Sequence, residues 1–233
     1  MVCLRANRDH TQRLTMASML THSYRDSILD TMDGAALAAW SPFASLLTSI
    51  TDFRAGTVTE ASYTGYGTRP AISFGAVANT SPVGGRQKAN DALVTFPQNT
   101  GAAQDVIAFG VHTASTAGTL RAIGFLDADP PVLGVGNADD SIVAYGHGLQ
   151  TDQRVFVLAA PGAPIPTGLS ENTAYFVLSA GLTADVFQLA TTSGGAAVNI
   201  TAGGAAMFMP YKAVSVATND IPQFAVGALV FQL

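Results

Sequence analysis

Between residues 141 and 208 the chain carries a self-contained stretch of β pattern that interrupts a second one. It opens with Ser141-Ile-Val-Ala-Tyr-Gly-His-Gly-Leu149 and runs through Arg154-Val-Phe-Val-Leu158 and Thr173-Ala-Tyr-Phe-Val-Leu178. It closes with Val186-Phe-Gln-Leu-Ala-Thr-Thr-Ser-Gly-Gly195 and Val198-Asn-Ile-Thr201. Short runs rich in Val, Phe, Tyr and Thr between Gly/Pro turns build antiparallel modules, because β-branched and aromatic residues fit a pleated surface. The loop Pro161-Gly-Ala-Pro-Ile-Pro-Thr-Gly-Leu169 can hold neither a helix nor an inner strand.

The flanking chain has its own strands. Phe43-Ala-Ser-Leu-Leu-Thr48, Ala92-Leu-Val-Thr-Phe96, Val106-Ile-Ala-Phe-Gly-Val-His112 and Thr119-Leu-Arg-Ala-Ile-Gly-Phe-Leu126 read as buried strands. Residues 66–74 read as an edge strand because of Pro70, and residues 51–62 as a polar loop. The pattern breaks at Asp127-Ala-Asp-Pro-Pro131 and resumes at Tyr211-Lys-Ala-Val-Ser-Val216. Ala225-Val-Gly-Ala-Leu-Val-Phe231 is apolar enough for a central strand. Leu20, Tyr24, Ile28, Leu29 and Met32 recur at helical spacing, with Ser18 or Thr21 as N-cap, Gly34 as C-cap and one face on a sheet.

The expected fold class is therefore all-β: a β-sandwich with one N-terminal helix and a small inserted β domain. The sandwich would comprise residues 19–134 plus 210–233, and the inserted domain residues 135–209. Residues 1–18, with Arg5, Arg8 and Arg13 and no sustained apolar run, read as a disordered or mis-started tail. Met1, Met16 and Met19 are all available starts.

Charged residues make up 12% of the chain, about half the usual share, so few surface charges resist association. A net charge of −5 argues against a nucleic-acid partner, whose phosphates would repel it. No run reaches the ~18 apolar residues that span a bilayer, so no membrane partner is expected. The one cysteine, Cys3, cannot form a disulfide within the chain.

Two resemblances emerge from particular residues. Phe43-Ala-Ser-Leu-Leu-Thr48, Gly56-Thr-Val-Thr-Glu60, Tyr66-Gly-Thr-Arg-Pro70, Ile72-Ser-Phe74, Thr95-Phe-Pro97, Ile107-Ala-Phe-Gly-Val111, Gly124-Phe-Leu-Asp127 and Ile221-Pro-Gln-Phe-Ala-Val-Gly-Ala-Leu-Val230 resemble a small tail-fibre family of tailed bacteriophages. Where that family often has Trp-Gly this chain has Gln104-Asp105, and Ala61 follows Glu60 where Val is usual. His147-Gly-Leu149, Gly168-Leu169, Tyr175-Phe-Val177, Phe187-Gln-Leu189 and Ser193-Gly-Gly-Ala-Ala-Val198 resemble a β module inserted in many phage virion proteins. Neither resemblance implies a catalytic residue.

The residues themselves offer no reaction centre. His10, His22, His112 and His147 are scattered without metal-ligand spacing; a structural or solvated role is expected for each, with the His147 ring bonded to backbone in a turn. Gly134-Val-Gly136-Asn-Ala-Asp139 lacks the third glycine and following helix of a dinucleotide loop. Gly194-Gly195 and Gly203-Gly204 lack the Lys-Ser/Thr of a P-loop and read as hairpin turns. Asp127, Asp129, Asn137, Asp139 and Asp140 could offer oxygens to Ca²⁺ but do not have EF-hand spacing. Glu60 and Glu171 are conceivable glycosidase partners from different units. No catalytic, cofactor or metal residue is assigned.

The function expected is that of a non-enzymatic virion structural protein, made in the host cytoplasm. It would be tail-associated, as a fibre or baseplate component, and act in assembly or host-surface attachment. A capsid decoration (cement) protein is the rival, and a carbohydrate-binding module another, with Tyr145, Tyr175 or Phe176 lining a groove for a host-surface glycan. The partners are other virion proteins and further copies of the chain. The apolar flanks 133–136 and 205–209 are either covered by another chain or paired with each other as a neck.

Overall fold

The computed structural model describes residues 20–30, 39–52, 55–79 and 86–232. The N-terminal tail, Met32 and the proposed cap Gly34 lie outside them. The described residues are nearly all β, with 40% strand and 4% helix. It divides into two compact units, one of residues 1–127 with 213–233 and one of residues 128–212. Among the described residues no helix is long and apolar enough to cross a membrane.

The first unit begins with α1 (His22–Leu29), whose N-cap Thr21 is extended. The Thr21 hydroxyl donates not to the helix but to the Leu120 carbonyl at 3.1 Å, and Leu20 bridges Ala122. The helix is thus anchored through its entry residues. The guanidinium of Arg121 lies 5.4 Å from the Tyr24 ring, which meets Trp40 edge-on at 6.0 Å. Leu29, expected on the sheet-facing side, is 60% exposed.

Then follow β1 (Phe43–Asp52), β2 (Thr57–Glu60), β3 (Ala78–Asn79), β4 (Arg86–Ala89), β5 (Val94–Thr95), β6 (Gln104–Val106), β7 (Ala108–His112) and β8 (Leu120–Phe125). One sheet has the order β2-β1-β7-β8. Its central strand β7 is buried at every position, which is why 106–112 reads as a continuous apolar run. Thr57-Val-Thr-Glu60, expected within a polar loop, is a strand. Its half-exposed alternation hides it from an apolar count, while its β-branched residues suit an edge. Residues 66–74 make only isolated bridges, Ala71 to Phe43 and Phe74 to Asn90, because Pro70 interrupts the donor row.

The second unit contains β9 (Val132–Gly136), β10 (Ile142–Val143), β11 (Arg154–Ala159), β12 (Ala174–Val177), β13 (Val186–Phe187), β14 (Leu189–Ala190) and β15 (Gly204–Tyr211). They form one sheet of order β13-β10-β9-β15-β11-β12-β14. Its two edge strands are consecutive in sequence, separated only by Gln188. Phe187 pairs with Ile142 on one side and Leu189 with Val177 on the other. One bent run therefore ties both edges together, giving a nearly closed, barrel-like sheet. Ile142, Phe187 and Phe208 fill its interior, each fully buried, beside Val155, Val157 and Leu189.

The flanking apolar runs pair with each other, Val132–Gly136 against Gly204–Phe208. This pairing lies inside the unit, so its ends fall at Ala128 and Lys212 rather than at 135 and 209. Gly134 is required there: a Cβ would sit 2.6 Å from Ile142 Cγ2 and 2.9 Å from Phe208 Cε2. Gly194 has φ +64° in a turn, as expected, but Gly204 starts β15. A Cβ on Gly204 would come within 2.5 Å of the Pro164 carbonyl oxygen, so close backbone approach, not turning, explains it.

The chain then completes the first unit with β16 (Val214–Val216), β17 (Gln223–Phe224) and β18 (Val230–Gln232), paired with β6, β5 and β4. Residues 225–231, expected as one strand, instead turn at Gly227, where φ is +75°. Asn90 holds this turn. Its Nδ2 donates to the carbonyls of Ala92 and Ala225, and its Oδ1 accepts from the Leu229 N–H at 2.8 Å. An aromatic chain Tyr66–Phe96–Phe224–Phe109 fills the core beside it, with centroids 5.5–6.3 Å apart.

Candidate functional site

A part-buried polar cluster of the first unit forms where the two sequence motifs around Glu60 and Arg69 meet. Glu60 ends β2 opposite Leu47. Arg69 Nε donates to both Glu60 carboxylate oxygens at 3.0 and 3.1 Å, and Nη2 also reaches Oε1. Nη1 donates to the carbonyls of Ala114 and Ala117, so the guanidinium ties the 66–74 segment to the β7–β8 turn. The Tyr66 hydroxyl donates to Glu60 Oε2 at 3.3 Å and accepts from the Leu46 N–H at 3.1 Å.

His112, ending β7 and only 4% exposed, completes the cluster. Its Nε2 lies 3.0 Å from Ser45 Oγ and 3.6 Å from Glu60 Oε1. Burial, aided by the Arg69 charge and opposed by Glu60, lowers its pKa from 6.5 to about 4. Burial raises Tyr63 to about 12 and pushes Tyr66 up as well.

Serine, histidine and glutamate in contact invite comparison with a nucleophile relay. The geometry argues against it. A relay needs the acid on the ring nitrogen away from the serine, whereas here both approach Nε2. Ser45 is also fully buried, out of a substrate's reach, and Arg69 already occupies the carboxylate. The cluster can fix loops; it cannot deliver a nucleophile.

The other sequence candidates are dispersed. His10 lies outside the described residues, as does the His22 side chain. His147 accepts the Leu149 N–H on Nδ1 at 2.9 Å and meets Phe187 edge-on at 5.1 Å, a turn-stabilising position. Asp139 accepts from the Ser141 N–H and hydroxyl, which lowers its pKa, and Asp140 accepts from the Ile200 N–H at 2.8 Å. Asn137 donates to the Ser141 hydroxyl. Among the described residues no three His, Cys, Asp or Glu side chains gather as metal ligands. Glu60 and Glu171 belong to separate units, and Glu171 accepts from the Ala159 N–H at 3.4 Å.

The three aromatics considered for glycan binding do not share a groove. Tyr145 is 85% exposed, whereas Tyr175 lies in the barrel core with its hydroxyl accepting from the Ser170 N–H. Phe176 is half-buried under the Arg154 guanidinium. Sequence reasoning missed the Glu60–Arg69–His112 cluster, although the motifs carrying the tail-fibre resemblance contain Glu60, Tyr66 and Arg69. The available signal was a Glu and an Arg in otherwise charge-poor stretches.

Comparison with known proteins gives one family. The model of podophage GP4 fiber I protein gp80 matches residues 18–140, over half of the chain. The matched stretch takes in α1 and the strands from β1 through β9, including every residue of the polar cluster. No curated protein matches. With its β architecture and its cluster of structural rather than reactive side chains, the chain belongs to the family of podophage GP4 fiber I protein gp80.

Proposed function

We propose that this protein is a tail-fibre part that works in assembly or host-surface attachment by presenting surfaces rather than by turning over a substrate. The single observation that carries this reading is the family match over residues 18–140. The polar cluster supports it, since Arg69 and Glu60 spend their charges holding loops. The unit of residues 128–212 is a β module inserted between β8 and β16 of a framework that the C-terminal strands complete. Support comes from β16, β17 and β18 all pairing with strands that precede the module. Such an insertion costs little loop entropy when its ends are close, and residues at both ends pair here, Ala128 with Tyr211.

Immunogold labelling of intact particles with antibody to the purified chain tests the location. Label on the tail is the expected result. Label over the head would replace this reading with that of a capsid decoration protein.

A further inference from the structure

The turn between β7 and β8, residues 113–119, holds a backbone shape that its sequence does not favour. Ala117 has φ +52°, and Gly118 beside it φ +68°. For a residue with a Cβ the left-handed region is strained, and such a shape persists only where neighbours fix it. The turn ties itself through the Thr113 N–H to the Thr119 carbonyl at 3.1 Å and the Thr119 N–H to the Thr113 hydroxyl at 2.9 Å. From outside, Arg69 bonds it three times. Its N–H donates to the Ser115 carbonyl at 3.0 Å, and its Nη1 to the carbonyls of Ala114 and Ala117. The strained residue is one that Arg69 holds directly.

The guanidinium is itself held by Glu60, and that hold is contested. Arg69 Nε and Nη2 both donate to Glu60 Oε1, the same oxygen that lies 3.6 Å from His112 Nε2. The charged or titratable groups around His112 are Glu60 on β2 and Arg69 in the 66–74 segment, with the Tyr66 hydroxyl on the other Glu60 oxygen. β1 brings the neutral Ser45 hydroxyl, and the turn brings the Gly118 backbone. A neutral imidazole leaves the carboxylate to Arg69. An imidazolium sets a second cation against one anion in a part-buried site, where their repulsion is weakly screened.

We propose that Arg69 is a latch on the β7–β8 turn, and that a proton on His112 releases it by taking over Glu60. The freed turn relaxes at Ala117, so acid reshapes the exposed stretch Thr116 to Thr119 while the sheet beneath stays paired. Opening that brings His112 to water returns the ring to its ordinary state. With a pKa of about 4 in the closed form against 6.5 in the open one, the opening constant should rise roughly 20-fold between pH 7 and pH 5.

Native-state amide exchange of the full chain tests this at Arg69, Thr113 and Thr119, with each rate divided by that of an unstructured peptide at the same pH. Low urea separates local opening from unfolding of the whole unit, since only the second exposes much surface. The expected result is protection at the three amides that falls roughly 20-fold from pH 7 to pH 5 and does not change with urea. The Asn90 N–H, bonded to the Leu229 carbonyl in the same unit, should keep a urea-dependent protection. His112→Gln should abolish the pH effect, and Arg69→Gln should open Thr113 and Thr119 already at pH 7. Exchange of the three amides that follows urea as Asn90 does overturns the latch, because the turn then opens only with the whole unit. A pH effect that survives in folded His112→Gln overturns it too, as does full protection of the turn in folded Arg69→Gln. Should neither variant fold, the pH and urea dependence of the unaltered chain decides alone.

Discussion

His112 makes the first unit acid-sensitive by an amount that follows from its surroundings. Its folded pKa of about 4 lies below the ordinary 6.5, so the unfolded chain takes up the proton more readily than the folded one. Its contribution is therefore intact above pH 6.5 and is lost as pH falls from 6.5 towards 4. At 1.36 kcal/mol per pKa unit the loss is about 2 kcal/mol at pH 5 and about 3 kcal/mol at pH 4. The pH 5 value is the cleaner, because ordinary carboxylates titrate at about 4. Trp40, the single tryptophan, lies in this unit and beside Tyr24, so its fluorescence follows unfolding of this unit alone. With an m-value of about 2 kcal/mol/M, the urea midpoint should fall by ~1 M between pH 7 and pH 5. His112→Gln, which cannot take up a proton, should show most of that shift abolished. Parallel midpoint curves for the two proteins would refute the reasoning, as would an imidazole titrating near 6.5 by NMR.

Other perturbations should act through single named contacts. Gly134→Val should destabilise the barrel unit by about 1–3 kcal/mol, since its Cβ meets Ile142 and Phe208; a calorimetric scan checks it. Phe187→Ala, emptying a fully buried site on the run that closes the sheet, should cost about 3–5 kcal/mol by the same scan. Asn90→Ala should cost about 3 kcal/mol and raise amide exchange at Leu229, whose N–H donates to the Asn90 side-chain oxygen. Glu60→Gln should leave the part-buried Arg69 without its counter-charge and lower stability by about 3 kcal/mol at pH 7, read as a Trp40 urea midpoint.

The strands that bury both faces were legible in the sequence, because a continuous apolar run such as Val106-Ile-Ala-Phe-Gly-Val-His112 has few alternatives. The all-β class followed from such runs and the turns between them, and the single helix from apolar residues at helical spacing. Thr57–Glu60 was missed because an edge strand half in water keeps a polar composition. The stretch at 225–231 was misread for the opposite reason. Its apolar residues suggest a strand, but its turn is held by an asparagine 135 positions earlier in the chain, which no local pattern records. The bent run that nearly closes the barrel was half visible: residues 186–195 read as part of the β module, but only register shows that Val186–Phe187 and Leu189–Ala190 pair with opposite edges. Of the polar cluster only Glu60 and Arg69 stood out as charges in charge-poor stretches; its assembly was not legible, because Ser45, Glu60, Arg69 and His112 come from four separate segments.

If this chain is a part of the particle, mass spectrometry of gradient-purified virions finds it there. Peptides of this chain are expected in a fixed ratio to the other tail proteins, unchanged by a high-salt wash. Peptides found in the infected-cell lysate but absent from washed particles would contradict it.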